Sequence, residues 1–188
     1  MMRGGKTSEL IHILETVGYA VRALYINHKL DTRSDKAFST HNVTLDVGFL
    51  SEKLNADMIK VQNLSEIPDD IIKKYPVVCI DESQFYSDLP EVVTRWAEEF
   101  GIDIYVAGLS GDYRRKNFGR IHELLPLADN IKFLRDTLCS RCALSGKRVP
   151  ALFTYRIDDS SGKQVEIGNE NYLSICRNCY RGFYTKKE

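Results

Sequence analysis

The chain has 188 residues, 43% of them hydrophobic and 28% charged, which is enough to bury the core of one ordinary domain and a small extra module. Its 26 basic and 26 acidic residues balance, which argues against a dedicated nucleic-acid-binding protein or a polybasic membrane anchor. No apolar run approaches the roughly 18 residues of a spanning helix, and the N-terminus lacks a signal-peptide pattern. We therefore expect a soluble cytoplasmic protein with no nucleic-acid or membrane partner.

The first two thirds of the chain alternate between helical and extended patterns. In residues 87–101, for example, Leu89, Val92, Val93 and Trp96 recur at helical spacing. Short strands alternating with helices predict a parallel sheet with helices on its faces. Helices are predicted over residues 7–18, 67–75 and 87–101, and strands over residues 20–27, 58–62, 76–80 and 102–109.

A phosphate-binding pattern opens the chain. Gly4-Gly5-Lys6-Thr7 directly precedes the first predicted helix, as in a P-loop, where backbone amides and the helix N-terminus bind phosphates. The apolar strand 76–80 ends in Asp81-Glu82, and a P-loop enzyme holds its Mg²⁺ with an acid at such a strand end. Together the two features predict a nucleotide site, although each alone is also typical of an ordinary loop or turn.

The P-loop pattern is incomplete at its start. Its first glycine would lie five residues before Gly5, ahead of Met1, and the strand that normally feeds the loop has no counterpart. A fold without that strand would expose the edges of its neighbours. We therefore expect that the natural start of the protein lies upstream, which leaves nucleotide binding by this chain to be tested.

After about residue 136 the chain changes character, with short alternating runs at 151–157 and 163–167 and two C-x-x-C pairs. These pairs, Cys139–Cys142 and Cys176–Cys179, supply the four thiolates that structural zinc prefers and leave no open coordination position. The alternatives are two disulfides or two redox motifs. Nothing indicates an oxidising compartment, and neither pair is predicted to open a helix after a strand, so zinc is favoured.

The full set of motifs is specific, and it resembles the type II thymidine kinases, the cellular and poxvirus-like family, over essentially the whole chain. The motifs occur in the family's order, with the two cysteine pairs in their expected places. They are residues 2–10 (MRGGKTSEL), 31–33 (DTR), 39–41 (STH), 81–85 (DESQF), 108–119 (GLSGDYRRKNFG) and 168–172 (GNENY).

The resemblance implies transfer of a phosphoryl group from ATP to the 5′-hydroxyl of thymidine. It implies an α/β fold, with a P-loop domain over residues 1–135 and a zinc-ribbon-like β module over residues 136–188. Glu82 corresponds to the general base that accepts the 5′-hydroxyl proton. ATP and Mg²⁺ would be bound by Gly5, Lys6, Thr7, Asp31, Thr32, Arg33, Asp81 and Gln84.

On the nucleoside side, the resemblance implies a substrate-closing loop between the two cysteine pairs. Backbone groups of that loop would form hydrogen bonds with the base. Zinc would anchor the two ends of the loop and so reduce the entropic cost of ordering it. The thymidine contacts implied are Met2, Phe85, Leu109, Tyr113, Val165, Glu166, Ile167, Gly168 and Tyr172.

The chain departs from the family pattern at Ser83, Ser110, Asp112, Tyr113 and Asn117. Because Tyr113 adds a hydroxyl and Asp112 adds a charge, a deoxynucleoside kinase with a different base preference stays open. A catalytically inactive nucleotide-binding homologue also stays open, because of the incomplete P-loop. Family resemblance further implies a homotetramer.

Overall fold

The structure, a computed structural model, describes residues 4–31, 54–134, 137–158, 162–164 and 171–184. The chain divides into two compact units. The sheet unit comprises Lys6–Gly108 and Gly119–Ile131, and the cysteine unit comprises Met1–Gly5, Leu109–Phe118 and Lys132–Glu188. The predicted boundary between two domains at residue 135 stays a prediction.

Every helix and strand predicted for the sheet unit is present, with ends shifted by a few residues. Short 3₁₀ turns at Leu64–Glu66 and Ser83–Phe85 lie between them, and a third at Ile121–Leu127 follows the last strand. Among the helices that the structure describes, none is both long and apolar enough to cross a membrane. The elements are α1 (Lys6–Val17), β1 (Ala23–His28), β2 (Ala56–Val61), α2 (Asp69–Ile72), β3 (Val77–Ile80), α3 (Leu89–Glu98) and β4 (Asp103–Val106).

The four strands form one parallel sheet in the order β2-β1-β3-β4. In this register Tyr25 of β1 lies opposite Met58 of β2 on one side and Cys79 of β3 on the other. The ladder continues past the end of β3, where the Asp81 amide donates to Ile26 O at 2.9 Å. The carboxyl ends of the central strands therefore meet at one edge, where Asp81 and Glu82 follow β3.

Alternate residues of the central strands point to opposite faces of the sheet, and each face is covered. Leu24 and Ile26 belong to the core that contains Trp96 of α3, whereas Ala23 and Tyr25 belong to the core beneath α1. With both faces covered, every residue of β1 and β3 is buried, and all except Asn27 and His28 at the end of β1 have apolar or aromatic side chains, as is typical of a covered parallel sheet. The predicted α/β fold class is confirmed.

The cysteine unit contains a two-stranded antiparallel sheet of β5 (Phe153–Arg156) and β6 (Tyr172–Ile175). The helices α4 (Ser140–Ala143) and α5 (Arg177–Tyr184) accompany it. Tyr155, Ile175 and Tyr180 are the aliphatic and aromatic members of its small core. The alternating run at 151–157 contains β5, and the run at 163–167 lies mostly outside the described residues.

His28, at the end of β1, is fully buried, and its hydrogen bonds select one tautomer of the neutral imidazole. Its Nδ1 accepts a hydrogen bond from the Leu30 amide at 3.0 Å, so Nε2 carries the proton and donates to Gln62 O at 2.9 Å. The ring packs edge-on against Tyr86, with centroids 4.8 Å apart, and at a tilt against Phe85, at 5.4 Å. Burial lowers the pKa of the imidazole below 6.5, while the bond to Gln62 opposes that shift.

This environment predicts a pH dependence of stability. Because the pKa of His28 is lower in the folded state, the unfolded chain binds the proton more readily, and the free energy of unfolding falls as the pH drops through 6.5. The decline ends once the pH is below the folded-state pKa. Urea unfolding from about pH 8 to about pH 5 measures the slope.

The variant His28→Gln keeps a donor and an acceptor but cannot take up the proton, so we expect it to lose this part of the slope. His12→Gln is the matched control, because His12 is exposed in the folded chain. Equal slopes for the unchanged chain and His28→Gln would contradict the prediction.

Candidate active site

Asp81 is the centre of the polar cluster at the carboxyl edge of the sheet, and its side chain is fully buried. Its Oδ2 accepts hydrogen bonds from Thr7 Oγ1 at 2.6 Å and from the Tyr25 hydroxyl at 2.8 Å. Its Oδ1 accepts from the Glu82 amide at 2.8 Å. Burial raises the pKa of Asp81 and the charge of Glu82 adds to the rise, while Lys6 and Thr7 oppose it.

Tyr25 contributes a donor from inside the sheet. Burial, and then the charge of Asp81, raise the pKa of the Tyr25 phenol well above 10.0, so its hydroxyl keeps its proton. It therefore acts on Asp81 as a hydrogen-bond donor.

Glu82 is buried beside Asp81 and has a left-handed backbone, with φ 49° and ψ 37°. A non-glycine residue in this region costs roughly 1–3 kcal/mol and is typical of functional sites. Gln84 Nε2 donates to Glu82 Oε2 at 2.6 Å and so orients the carboxylate. Gly119, with φ 61°, packs so closely on the Gln84 backbone that a Cβ there would clash, which makes glycine necessary at that position.

The residues predicted to bind phosphates lie at the start of α1. Gly5 has φ 81°, a conformation that glycine adopts without a steric cost, and α1 begins at the next residue, Lys6. Lys6 and Thr7 lie in the first turn of α1, and the contact between Thr7 and Asp81 joins this turn to the end of β3. A hydroxyl and a carboxylate oxygen are hard donors, and this pair fits Mg²⁺, which is bound through few protein oxygens and retains waters.

Asp31 and Phe85 are both placed near the end of β1. The Asp31 carboxylate accepts from Asn27 Nδ2 at 3.0 Å, and its backbone oxygen accepts from Lys60 Nζ at 2.9 Å. Phe85 ends the 3₁₀ turn after Glu82 and packs on His28. The other two residues of the Asp-Thr-Arg motif, Thr32 and Arg33, lie outside the described residues, and the roles predicted for the motif stay predictions.

The four predicted metal ligands converge in the cysteine unit. All four sulfur atoms lie within 4.8 Å of one another, and none of these cysteines forms a disulfide. Cys142 Sγ is 3.6 Å from Cys179 Sγ and 3.9 Å from Cys176 Sγ. Zinc–sulfur bonds of about 2.3 Å in a tetrahedron place sulfur atoms roughly 3.8 Å apart. The cluster is therefore compatible with a structural zinc ion.

The prediction that neither cysteine pair opens a helix after a strand is wrong for the second pair. The second pair does open a helix after a strand, because β6 ends at Ile175 and α5 begins at Arg177. However, β6 belongs to an antiparallel ribbon and not to a βαβ unit, and the two pairs meet in one cluster. Convergence of four sulfur atoms, more than the local position of either pair, favours zinc over two separate redox motifs.

Asp112, a departure from the family pattern, has a structural role in its own turn. Its Oδ1 accepts from the amides of Arg114 at 2.9 Å and Lys116 at 2.8 Å, and its Oδ2 accepts from Gln164 Nε2 at 2.9 Å. This carboxylate fixes the turn in which Arg115 takes a φ of 63°. The structural role of Asp112 in this turn is therefore sufficient to explain an aspartate at this position.

Tyr113 is buried in the same turn and is held by the cysteine unit. The Tyr180 hydroxyl donates to Tyr113 O at 2.8 Å. The guanidinium of Arg156, itself buried, lies 5.0 Å from the Tyr113 ring centroid and 6.0 Å from that of Tyr172. Leu109 is also buried in this unit. Tyr113 and Tyr172, both predicted to contact the substrate, thus share one buried cation.

The remaining predicted substrate contacts are Met2, Val165, Glu166, Ile167 and Gly168, and they lie outside the described residues. Two residues that the sequence did not identify are Tyr25 and Arg156. Tyr25 looks like one more apolar strand residue within 20–27, and Arg156 looks like the end of an alternating run. The Tyr25 contact to Asp81 and the Arg156 contact to Tyr113 both join residues that are far apart in the sequence.

Known proteins with similar sequences indicate one family. A sequence model of the family described as thymidine kinase matches residues 1–180. The chain belongs to the thymidine kinase family. The resemblance read from the motifs is thereby confirmed.

Curated relatives that carry this name come from several kinds of organism. The thymidine kinase of Myxoma virus (strain Uriarra) is 31% identical over 95% of this chain and 91% of its own length. That of Mycoplasma mobile is 31% identical over 95% of this chain and 82% of its own. Thymidine kinase a of Arabidopsis thaliana is 30% identical over 96% of this chain and 71% of its own.

The cysteine cluster predicts one bound zinc ion per chain. Cys176→Ser should reduce the zinc content to near zero and unfold the cysteine unit, because the binding energy of structural zinc is folding energy. Elemental analysis after dialysis, together with circular dichroism, measures both effects. Cys79→Ala is the control, since Cys79 is buried in the sheet unit. A Cys176→Ser protein that still holds one zinc would contradict the assignment.

Proposed function

We propose that this chain transfers the γ-phosphoryl group of ATP to the 5′-hydroxyl of thymidine, giving dTMP for DNA precursor synthesis. The observation that carries the proposal is the 2.6 Å contact between Thr7 and Asp81, with Glu82 next in the chain. It joins a G-K-T helix start to an acidic strand end, the pair of elements on which phosphoryl transfer by a P-loop enzyme depends. Membership of the thymidine kinase family supports the choice of acceptor.

The N-terminal residues would bind the donor. Gly5 and the first amides of α1 would contact the ATP phosphates, with the Lys6 ammonium neutralising their charge. Asp31, Thr32, Arg33 and Gln84 are proposed as further nucleotide contacts. Thr7 and Asp81 would hold Mg²⁺, Thr7 by its hydroxyl and Asp81 through water. When bound, Mg²⁺ would neutralise charge on the phosphate oxygens.

Glu82 would accept the proton of the 5′-hydroxyl as that oxygen attacks the γ-phosphorus and the bond from the γ-phosphorus to the β–γ bridging oxygen breaks, releasing ADP. A carboxylate suits this step, because the transition state is loose and the base mainly orients the nucleophile. The bond from Gln84 fixes the direction of the Glu82 carboxylate before substrate arrives. The strained backbone of Glu82 supports a functional role for this residue.

The nucleoside base would be recognised by Tyr113, Leu109 and Tyr172, with Met2, Phe85, Val165, Glu166, Ile167 and Gly168 as further contacts. Backbone groups discriminate between bases because a wrong base leaves buried polar groups unpaired. A structural zinc would hold α5, whose Tyr180 supports Tyr113 through its backbone. A cytoplasmic homotetramer is proposed on family resemblance, and analytical ultracentrifugation tests the tetramer.

A steady-state assay with Mg²⁺ and ATP tests the activity directly. Initial rates are compared for thymidine, deoxyuridine and deoxycytidine, and we expect the highest kcat/KM for thymidine. Turnover of deoxycytidine equal to or above that of thymidine would replace the proposal by a kinase of different base preference. Mg²⁺-dependent ATP binding without turnover of any nucleoside would indicate a nucleotide-binding homologue.

Glu82→Gln tests the proposed base. We expect turnover to fall by about 10²–10⁴-fold while ATP binding is retained, because the amide keeps the shape of the side chain but cannot accept the proton. Glu98→Gln makes the same chemical change at an exposed position of α3 and should leave turnover unaltered. Unchanged turnover in Glu82→Gln would remove Glu82 from the mechanism.

A further inference from the structure

We propose that Tyr25 is a positioning residue of the phosphate site, whose hydroxyl orients the Asp81 carboxylate and, through it, the Thr7 hydroxyl toward the divalent cation. The inference rests on the proposed function, since it assumes that Thr7 and Asp81 hold Mg²⁺. It adds a residue of β1 to a site otherwise formed by the start of α1 and the end of β3.

The position of Tyr25 requires an explanation for its hydroxyl. Tyr25 is fully buried in a central strand, in a core with Leu14, Val77 and Cys79. Phenylalanine would fill nearly the same space there, and burying a hydroxyl among apolar groups costs free energy unless it is hydrogen-bonded. The 2.8 Å bond to Asp81 Oδ2 provides that partner.

Within the part of the chain that the structure describes, three donors hold the Asp81 carboxylate, and each comes from a different part of the sheet unit. Thr7 and Tyr25 both donate to Oδ2, and the Glu82 amide donates to Oδ1. A carboxylate turns easily about its last torsion, and donors on both oxygens restrict that rotation. Without the Tyr25 hydroxyl, Oδ2 would lose one of the two donors that fix its direction.

The direction of Oδ2 matters for the cation because Thr7 donates its proton to that oxygen. When the Thr7 hydroxyl donates its proton to Asp81, the lone pairs of the Thr7 oxygen point away from Asp81. The oxygen can then act as a ligand of a cation. Loosening Asp81 therefore loosens Thr7 as well. The consequence is specific to the cation and should not extend to nucleotide contacts made without it.

Tyr86 provides a matched comparison within the same unit. It is also a buried tyrosine, but its hydroxyl has no hydrogen-bond partner among the residues that the structure describes. Tyr86→Phe thus removes a buried hydroxyl without touching Asp81. Any effect shared by Tyr25→Phe and Tyr86→Phe reports on folding, and any difference reports on the site.

Calorimetric titration of the full chain with a non-hydrolysable ATP analogue, with Mg²⁺ and separately with EDTA, tests the inference. We expect Tyr25→Phe to weaken binding on the order of tenfold with Mg²⁺, as loss of a bond to a charged group would, and to leave binding in EDTA unchanged. Tyr86→Phe should bind like the unchanged chain in both conditions. Equal losses with Mg²⁺ and EDTA, no loss, or an equal loss in Tyr86→Phe would overturn the proposal.

A double-mutant cycle with Thr7→Val tests the route through Asp81. If Tyr25 acts through Asp81 on Thr7, the double variant should lose less Mg²⁺-dependent affinity than the two single losses combined. Full additivity would overturn this route. An unchanged chain that binds the Mg²⁺ complex but phosphorylates no nucleoside would refute the proposed function, while the calorimetry would still decide the role of Tyr25.

Discussion

A single buried carboxylate connects the elements on which this site depends. Asp81 receives one donor from the first turn of α1, one from the middle of β1 and one from its own chain at the end of β3. An unpaired buried charge would be strongly destabilising, so these donors stabilise the fold as well as the site. The apolar packing beneath α1 brings these elements together, and Asp81 joins the first turn of α1, which we propose binds phosphates, to the end of β3.

The second unit is built around the cluster of four cysteines. It has few buried apolar residues among those that the structure describes, and a structural zinc ion bound by the four cysteines would compensate for the small core. Two of these cysteines flank the start of α5, and Tyr180 on that helix supports the backbone of Tyr113. The stability of the cysteine cluster is thereby linked to the position of a residue proposed to contact the nucleoside.

Sequence reasoning succeeded where the chemistry is local. Lys6-Thr7 at a helix start, Asp81-Glu82 after an apolar strand and the cysteine pairs all have signals within a few residues, and the structure has the elements in that order. It could not find Tyr25, because the partner of its hydroxyl is 56 residues away and period-two alternation marks only a buried strand position. It also could not show that the Asp112 carboxylate accepts hydrogen bonds from its own turn and from Gln164. Contacts of this kind depend on the completed fold, which the motifs alone do not specify.

The left-handed backbone at Glu82 means that stability and activity favour different residues at this position. Glycine adopts this conformation without the steric cost of about 1–2 kcal/mol that a side chain brings. If Glu82 is the base, glycine is best suited to this left-handed conformation, but glycine has no side chain to accept the proton. Directed evolution for heat resistance alone would then favour inactive chains at position 82, and each round would need a parallel selection for turnover.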